Sequence, residues 1–232
     1  MKKNKIWIYP FMILGVFLMF ASSCTKVEDN NNPVTVTDID GNVYKTVTIG
    51  TQVWMAENLK TTKYRNGDPI PNVVGDAAWR TLTTGAYCWY GNNAVTNKPT
   101  YGALYNWYAV ADSRNIAPTG WHVPIDAEWT TLTTYLGGES VAGGKLKESG
   151  TIHWTTPNTG ATNSSGFKAL PGGYQEGIGW STSGIGEYGD WWSSSIGSAN
   201  RAWDRELDNA STSVRVAELD KFGCSSVRCI KD

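Results

Sequence analysis

The chain has 232 residues, 20 basic and 21 acidic side chains and a formal net charge of -1. A charge so close to zero, with no basic run beyond the N-terminus, argues against a nucleic-acid-binding surface. The length suits one domain of about 200 residues plus a targeting segment, and the 41% hydrophobic content is enough for a proper core.

The first 23 residues predict a secretory signal peptide. Lys2, Lys3 and Lys5 precede an apolar stretch, residues 6–20, and small residues then lead to Cys24. This order of charge, apolar stretch and small residues is typical of a signal peptide. An uncleaved membrane anchor is the less favoured alternative, because the stretch is shorter than the roughly 20 residues that a span prefers. The segment resembles a bacterial lipoprotein box, which implies a lipid on Cys24.

Residues 24–34 are polar, acidic and rich in asparagine, so we predict a flexible tether ahead of a domain at 35–232. Glu28 and Asp29 resemble the surface-export signal of Bacteroidetes lipoproteins. The protein is therefore expected to be a surface-exposed lipoprotein of the outer membrane.

Residues 34–59 predict paired strands, since β-forming residues alternate around turns at 40–42 and 50–51. Asp38, Asp40 and Gly41 also match a fragment of a calcium-binding loop. The downstream acidic ligand is missing, so a hairpin turn is the favoured interpretation.

Two helices are predicted in the middle of the chain. In residues 101–111, apolar side chains recur at helical spacing. Residues 120–138 have the same pattern, with Trp129, Leu132 and Leu136 on one face and a pair of glycines as the stop signal. Two helices flanked by strands predict an α+β fold in which the helices pack on antiparallel strands.

The second half of the chain is expected to combine a long loop with closing strands. Residues 143–189 are rich in Gly, Ser and Thr, and long loops in compact domains tend to carry function. Residues 191–232 alternate in the manner of half-exposed strands.

Segments with motif-like sequences are spread along the chain. They are DIDGNVYKTVTIGTQVWMAENL (38–59), GAYCWYGNN (85–93), YGALYNWYAV (101–110), GWHVPIDAEW (120–129), GFKALPGGY (166–174), GDWWSSS (189–195) and SVRCIKD (226–232). Together these segments resemble the Fibrobacter succinogenes major paralogous domain family, over about residues 36–232. The resemblance implies a C-type-lectin-like fold with long irregular loops. The family's usual Thr at the start of the second helix is Ile125 here, which removes half of a capping box with Glu128.

The resemblance also bears on the cysteines. Cys88 and Cys229 lie in matching segments, so they are the candidate disulfide, which leaves Cys224 as the extra thiol. Alternatively, Cys224 and Cys229 have the C-x4-C spacing of the redox pair in the formylglycine-generating enzymes, which are copper-dependent oxidases. Only these two cysteines match that enzyme family, so the copper alternative is the weaker one.

Other catalytic patterns are poor. The chain has two histidines, His122 and His153, and neither has metal-ligand spacing with cysteine. Asp126 and Glu128 form a carboxylate pair, but both belong to a helix start. We therefore expect no catalytic residues, no metal and no cofactor.

Ligand binding is the favoured function, with a surface glycan or a protein as the partner. Segment 199–221 mixes charged and aromatic residues as recognition surfaces do, although such a mixture is also found on ordinary strand faces. A structural envelope role without a ligand is a further alternative. Similar lectin-like proteins are variable targets of diversity-generating retroelements, which implies that this tail could be diversified. The candidate ligand-binding residues are Arg201, Trp203, Arg205, Glu206, Asp208, Asn209, Arg215, Glu218 and Asp220.

Overall fold

The computed structural model describes Met1 and residues 34–174 and 183–232. The predicted signal peptide (1–23) and tether (24–34), with Cys24, therefore lie outside the described residues apart from their two end positions. One unit of the chain spans Pro33–Asp232. No helix among the described residues has the length and apolar character needed to cross a membrane.

Strands dominate the described part of the chain, and the helices are short. The strands are β1 (Thr35–Thr37), β2 (Val43–Ile49), β3 (Gln52–Met55), β4 (Tyr87–Cys88), β5 (Leu104–Asn106), β6 (Trp121–His122), β7 (Gly172–Tyr174), β8 (Ser183–Ile185), β9 (Tyr188–Ile196), β10 (Arg201–Asp208), β11 (Arg215–Asp220), β12 (Cys224–Ser225) and β13 (Ile230–Lys231). The helices are α1 (Asp76–Arg80), α2 (Ala94–Tyr101), α3 (Trp107–Val110), α4 (Asp126–Tyr135) and α5 (Glu139–Leu146), with a 3₁₀ turn at Tyr90–Asn92.

The strands form three sheets. Their orders are β1-β2-β3-β13-β6, β11-β10-β9-β7-β8 and β12-β5-β4. In the first sheet, the short C-terminal strand β13 lies between β3 and β6. Residues from both ends of the domain therefore share one sheet, and the fold is closed by the end of the chain.

The predicted α+β fold, with two helices packed on antiparallel strands in a C-type-lectin-like domain, is wrong. The described residues are mostly β, with curled sheets and only short helices. The longest helix in the described part of the chain, α4, has 10 residues. Most of the packing that buries the core is consequently made between sheets and irregular segments.

The helix predicted at 101–111 accounts for much of this error. Leu104–Asn106 is strand β5, which pairs with β4 on one side and β12 on the other. Gly102, just before it, has a φ of +77°, and a Cβ there would lie 2.7 Å from the Leu59 carbonyl oxygen. This left-handed residue ends α2, and tertiary strand pairing then overrides the helical spacing.

The other sequence predictions of secondary structure are closer to the structure. The paired strands at 34–59 are β1 to β3, and the closing strands of the tail are β9 to β13. The Asp38 carboxylate accepts hydrogen bonds from the backbone N–H groups of Asp40 and Asn42, as expected for a hairpin turn. Of the long loop predicted at 143–189, residues 147–171 are irregular, residues 143–146 belong to α5, and strands β7, β8 and β9 begin at residues 172, 183 and 188. Residues 175–182 of this loop lie outside the described residues.

Helix α4 follows the predicted pattern. Trp129, Leu132 and Thr133 are buried along one face. The Glu128 carboxylate accepts a hydrogen bond from the Ile125 N–H at 2.9 Å, which is the half of the capping box that survives without a hydroxyl. Gly137 and Gly138 both have positive φ and end the helix.

One core cluster joins the first two sheets to α4 and α5. Trp54 of β3 is fully buried, with its ring 4.8 Å from Trp129 of α4 and 5.8 Å from Phe167 of the irregular segment. Trp191 of β9 and Leu207 of β10 complete this cluster. The irregular segment is thus fastened to the sheets through Phe167.

Candidate functional site

Segments that are distant in sequence meet at a buried arginine. Arg228 is 1% exposed. Its guanidinium donates to Asn58 Oδ1 at 3.1 Å, to the Lys168 carbonyl at 3.1 Å and to the Phe167 carbonyl. It also stacks 4.1 Å from the centre of the Phe167 ring. The arginine thereby holds residues 167–168 against the first sheet.

Asn58 connects the same arginine to two further segments. Its side-chain oxygen accepts a hydrogen bond from Trp191 Nε1 at 2.9 Å, and its Nδ2 donates to the Tyr101 carbonyl at 2.9 Å and to Ser226 Oγ at 3.1 Å. Five of the segments that carry the family resemblance therefore converge here. Such a saturated buried network fixes the geometry of the surface above it.

Arg228 is a buried cation surrounded by neutral acceptors. Burial lowers the pKa of its guanidinium to about 9, while the charge of Glu57 acts in the opposite direction. The group therefore keeps its charge at neutral pH. Among the described residues, no carboxylate forms an ion pair with it, so its positive charge is only partly compensated.

A cleft of about 560 Å³ lies beside this network. It is formed by β2, the end of β3, the end of α2 and the irregular segment 147–171, and its size is typical of small-ligand sites. Val47, Pro99 and Leu170 give it an apolar patch. Its polar lining consists of Lys45, Thr46, Glu57, Thr100, His153, Asn163 and Lys168.

Both carboxylates near the cleft have internal partners. Glu57 lies 2.8 Å from Lys60 Nζ and accepts a hydrogen bond from the Lys45 N–H. Burial opposes the ionisation of Glu57, but these hydrogen bonds prevail and lower its pKa. Glu148 is buried and lies 2.6 Å from His153 Nδ1, with Lys168 Nζ 3.5 Å away. Each of these two carboxylates therefore lies beside a lysine ammonium group of the protein.

Lys168 has an unusual backbone conformation that places it at the cleft. Its φ is +53°, and that of Asn163 is +51°. The Lys168 N–H donates to Asn163 Oδ1 at 2.8 Å, and its carbonyl accepts from Arg228. Residues held in this sparsely populated region cluster at functional sites. The side chain of Lys168 stays 52% exposed.

The nine predicted ligand-binding residues do not form one surface. Strands β10 and β11 pair directly, from Arg201 opposite Asp220 to Glu206 opposite Arg215. Neighbours along a strand point to opposite faces, so the set is divided. One face carries Arg201, Trp203, Arg205, Glu218 and Asp220, the other carries Glu206, Asp208 and Arg215, and Asn209 follows the end of β10.

Most of the charged groups on this hairpin are engaged within the protein. Arg205 is buried, and its guanidinium donates to Asp126 Oδ1 at 2.6 Å. Arg201 pairs with Asp220 at 3.1 Å. Arg215 pairs with Glu206 at 2.8 Å on the opposite face. These contacts stabilise the hairpin, and a binding role for its residues stays a prediction.

The ends of the same hairpin are also held in place. The Asp208 carbonyl accepts from Lys147 Nζ at 2.8 Å, and Asn209 Nδ2 donates to Thr155 Oγ1 at 2.8 Å. Trp203 is half-buried opposite Glu218. Asp190, beside Glu206, is buried, and burial together with the Asp204 carboxylate raises its pKa well above the usual range. The interior of this sheet therefore favours the neutral form of the Asp190 carboxyl group.

The cysteines are arranged differently from the predicted disulfide. Cys88 Sγ lies 3.7 Å from Cys224 Sγ, whereas Cys229 belongs to another core cluster. The structure thus places Cys224, and not Cys229, next to Cys88, because β4 and β12 both flank β5. Burial raises the pKa of the Cys224 and Cys229 thiols. The C-x4-C pair is likewise not brought together, and Cys88, Cys224 and Cys229 are each buried.

Within residues 34–174 and 183–232, no group of three or more His, Cys, Asp or Glu side chains is placed to hold a metal ion.

His122 links the start of α4 to the C-terminal residue. Its Nε2 lies 2.9 Å from Glu128 Oε1, and its Nδ1 lies 2.7 Å from Asp232 Oδ1. Burial disfavours the imidazolium, but the hydrogen bonds with Asp232 and Glu128 outweigh burial and raise the pKa of His122 above 6.5. This histidine therefore fastens the end of β13 to the helix.

The His122 link gives a pH-dependent prediction. Because the pKa is raised in the folded state, its contribution to stability is present below the unfolded-state pKa and is lost as the pH rises through the folded-state pKa. We expect His122→Gln to lower the free energy of unfolding more at about pH 6 than at about pH 8.5. Urea unfolding of both proteins at each pH measures this difference. A difference that grows with pH would contradict the assignment.

The cleft was not predicted from the sequence, because its lining comes from four separate segments. A signal was nevertheless present. Glu57, Lys168 and Arg228 each lie within a segment that carries the family resemblance. His153 has no such signal, because it lies outside these segments. Charged residues inside otherwise apolar, motif-like segments are the sequence feature that indicates this cleft.

The fold and the site together define a mostly β domain with a polar cleft beside a buried arginine. The family model of the Fibrobacter succinogenes major domain matches residues 47–231, and the chain belongs to this family. The family predicted from the resemblance is thus confirmed. No curated protein matches the chain. No solved structure matches it either.

Proposed function

We propose that the protein is a non-enzymatic ligand-binding protein, and that its ligand occupies the cleft between β2 and the irregular segment 147–171. The observation that carries this proposal is the cleft itself, which has a ligand-sized volume and both polar and apolar walls. The irregular segment that forms one wall is part of the Gly/Ser-rich stretch that the sequence indicated as functional. A glycan end or a single protein side chain would fit this space.

The rigidity of the cleft supports binding. The Arg228–Asn58 network fixes residues 167–168, and Phe167 packs on Trp54 in the core. A site preformed in this way loses little conformational entropy when its ligand binds. Buried, protonated thiols make poor nucleophiles and poor copper ligands, so the cysteines give less support to an oxidase.

We further propose that the domain is presented at the cell surface by a lipid on Cys24. This part rests on the sequence of residues 1–34, in which a signal peptide ends at Cys24 and a polar tether follows. A tethered binding domain can reach ligands outside the membrane. Diversification of segment 199–221 remains a prediction that sequencing of the gene tests.

The cleft can be tested by filling it. Thr100 lies in α2 and lines the cleft, so we expect Thr100→Trp to abolish binding to every oligosaccharide on a glycan array that the wild-type full-length chain binds. Thr134→Trp is the matched control, because Thr134 is an exposed residue of α4 outside the cleft. It should bind like the wild type. Binding that survives Thr100→Trp unchanged would refute the cleft as the ligand site.

A further inference from the structure

The side chains around the cleft carry more positive than negative charge. Glu57 pairs with Lys60, and Glu148 lies 3.5 Å from Lys168 Nζ. Lys45, which lines the cleft, has no ion pair among the described residues. The lining therefore carries cationic charge in excess of its carboxylates.

Arg228 adds a buried charge beneath this surface. Its three acceptors are two backbone carbonyls and an amide oxygen, and all of them are neutral. One of those carbonyls belongs to Lys168, so the guanidinium lies directly behind a residue that lines the cleft. A buried cation without a carboxylate partner projects positive potential into the nearest solvent-filled space.

Lys168 lies where the positive potential of Arg228 acts, and the protein fixes its backbone there. Its left-handed backbone is fixed by Asn163 at the N–H and by Arg228 at the carbonyl. The Lys168 side chain is 52% exposed and lines the cleft, and its ammonium group lies 3.5 Å from the Glu148 carboxylate. An anion that enters the cleft would contact the ammonium group of Lys168, whose backbone is fixed. It would also contact the ammonium group of Lys45, which has no ion pair among the described residues.

We infer that the cleft binds a saccharide that carries an anionic group. The anion is held by Lys168 and Lys45, and the sugar ring lies on the apolar patch of Val47, Pro99 and Leu170. This inference rests on the proposed function and names the ligand class of the same site. The shared chemistry is an anionic oxygen group, which a uronic acid supplies as carboxylate and a sulfated sugar as sulfate ester.

The remaining lining favours a saccharide over an acidic peptide. Thr100 and Asn163 offer a hydroxyl and an amide group that both donate and accept hydrogen bonds. Sugar hydroxyls also do both, so they can satisfy this lining around a ring. The cleft is concave and about 560 Å³ in volume, which suits one or two sugar residues.

The inference is tested by titration calorimetry on the full-length chain in detergent micelles. The probes are digalacturonate, its neutral counterpart galactobiose, and a sulfated galactobiose. We expect digalacturonate to bind at least about tenfold more tightly than galactobiose, a preference that salt weakens. Lys168→Gln should lower the affinity for digalacturonate about tenfold and leave galactobiose unaffected. Lys231→Gln, an exposed lysine of β13 outside the cleft, should change neither.

The outcomes separate the inference from the proposed function. Equal affinity for digalacturonate and galactobiose, both lost in Thr100→Trp, would overturn the inference and leave the cleft as a binding site. Binding of all probes that is insensitive to Thr100→Trp would overturn both. If the sulfated probe also binds tightly and its binding depends on Lys168, this would support a site that accepts either a carboxylate or a sulfate ester. Loss of digalacturonate binding in Lys231→Gln as large as in Lys168→Gln would refute the role of Lys168.

Discussion

Replacing Trp54 with alanine is expected to lower the free energy of unfolding by about 3–5 kcal/mol. Trp54 is fully buried, and its ring contacts Trp129 of α4 and Phe167 of the irregular segment. Its removal leaves a cavity between the first sheet, the longest helix and the segment that lines the cleft. The cost combines lost burial with lost aromatic contacts, because the three surrounding elements cannot all close onto the gap.

Urea unfolding measures this effect, with Tyr135→Ala as the control. Tyr135 also lies on α4 but is 65% exposed, so its removal should change stability by no more than about 0.5 kcal/mol. A loss below about 1 kcal/mol for Trp54→Ala would show that the ring is not central to the core. Because Phe167 precedes Lys168, the same variant should also weaken ligand binding.

Replacing Arg228 with methionine is expected to lower both stability and affinity. The carbonyls of Phe167 and Lys168 lose their buried donor, and each unsatisfied acceptor costs about 1–3 kcal/mol. Removal of a buried charge offsets part of this cost. We therefore expect a net loss of about 2–4 kcal/mol in the free energy of unfolding, together with a clear loss of affinity for digalacturonate.

Arg228→Lys separates charge from geometry. It keeps a cation behind the cleft but offers fewer directed donors, so it should lose stability and retain more of the affinity for digalacturonate than Arg228→Met. Urea unfolding and calorimetry on both variants give the two quantities. Equal affinities in the two variants would mean that the buried charge does not act on the ligand.

The sequence predicted those elements whose pattern is local. The strands at 34–59 and in the tail, and helix α4 with its glycine stop, depend on alternation, spacing and turn residues. Of the predicted helix at 101–111, α3 (Trp107–Val110) is helical, whereas a left-handed Gly102 and two partner strands decide the state of Leu104–Asn106. Those partners are remote in sequence, so spacing alone does not reveal them.

The same limit applies to the candidate site. The nine residues of segment 199–221 were grouped because they are close in sequence, but strand alternation divides them between two faces. The cleft has the opposite arrangement, because Lys45, Thr100, His153 and Lys168 are close only in the fold. Resemblance to a family identified the segments that meet there, and the structure was needed to bring them together.

The most direct test of the proposed cleft site is to locate the bound ligand on the protein. Amide chemical shifts of the ¹⁵N-labelled full-length chain, recorded while digalacturonate is added, report on each residue separately. We expect the largest changes in amide chemical shift at Lys45, Gly166 and Lys168. The amide shifts of Arg201 and Trp203 in the hairpin should stay unchanged. Chemical-shift changes confined to the hairpin, with the cleft residues unchanged, would contradict the cleft as the ligand site. They would place the ligand on strands β10 and β11 instead.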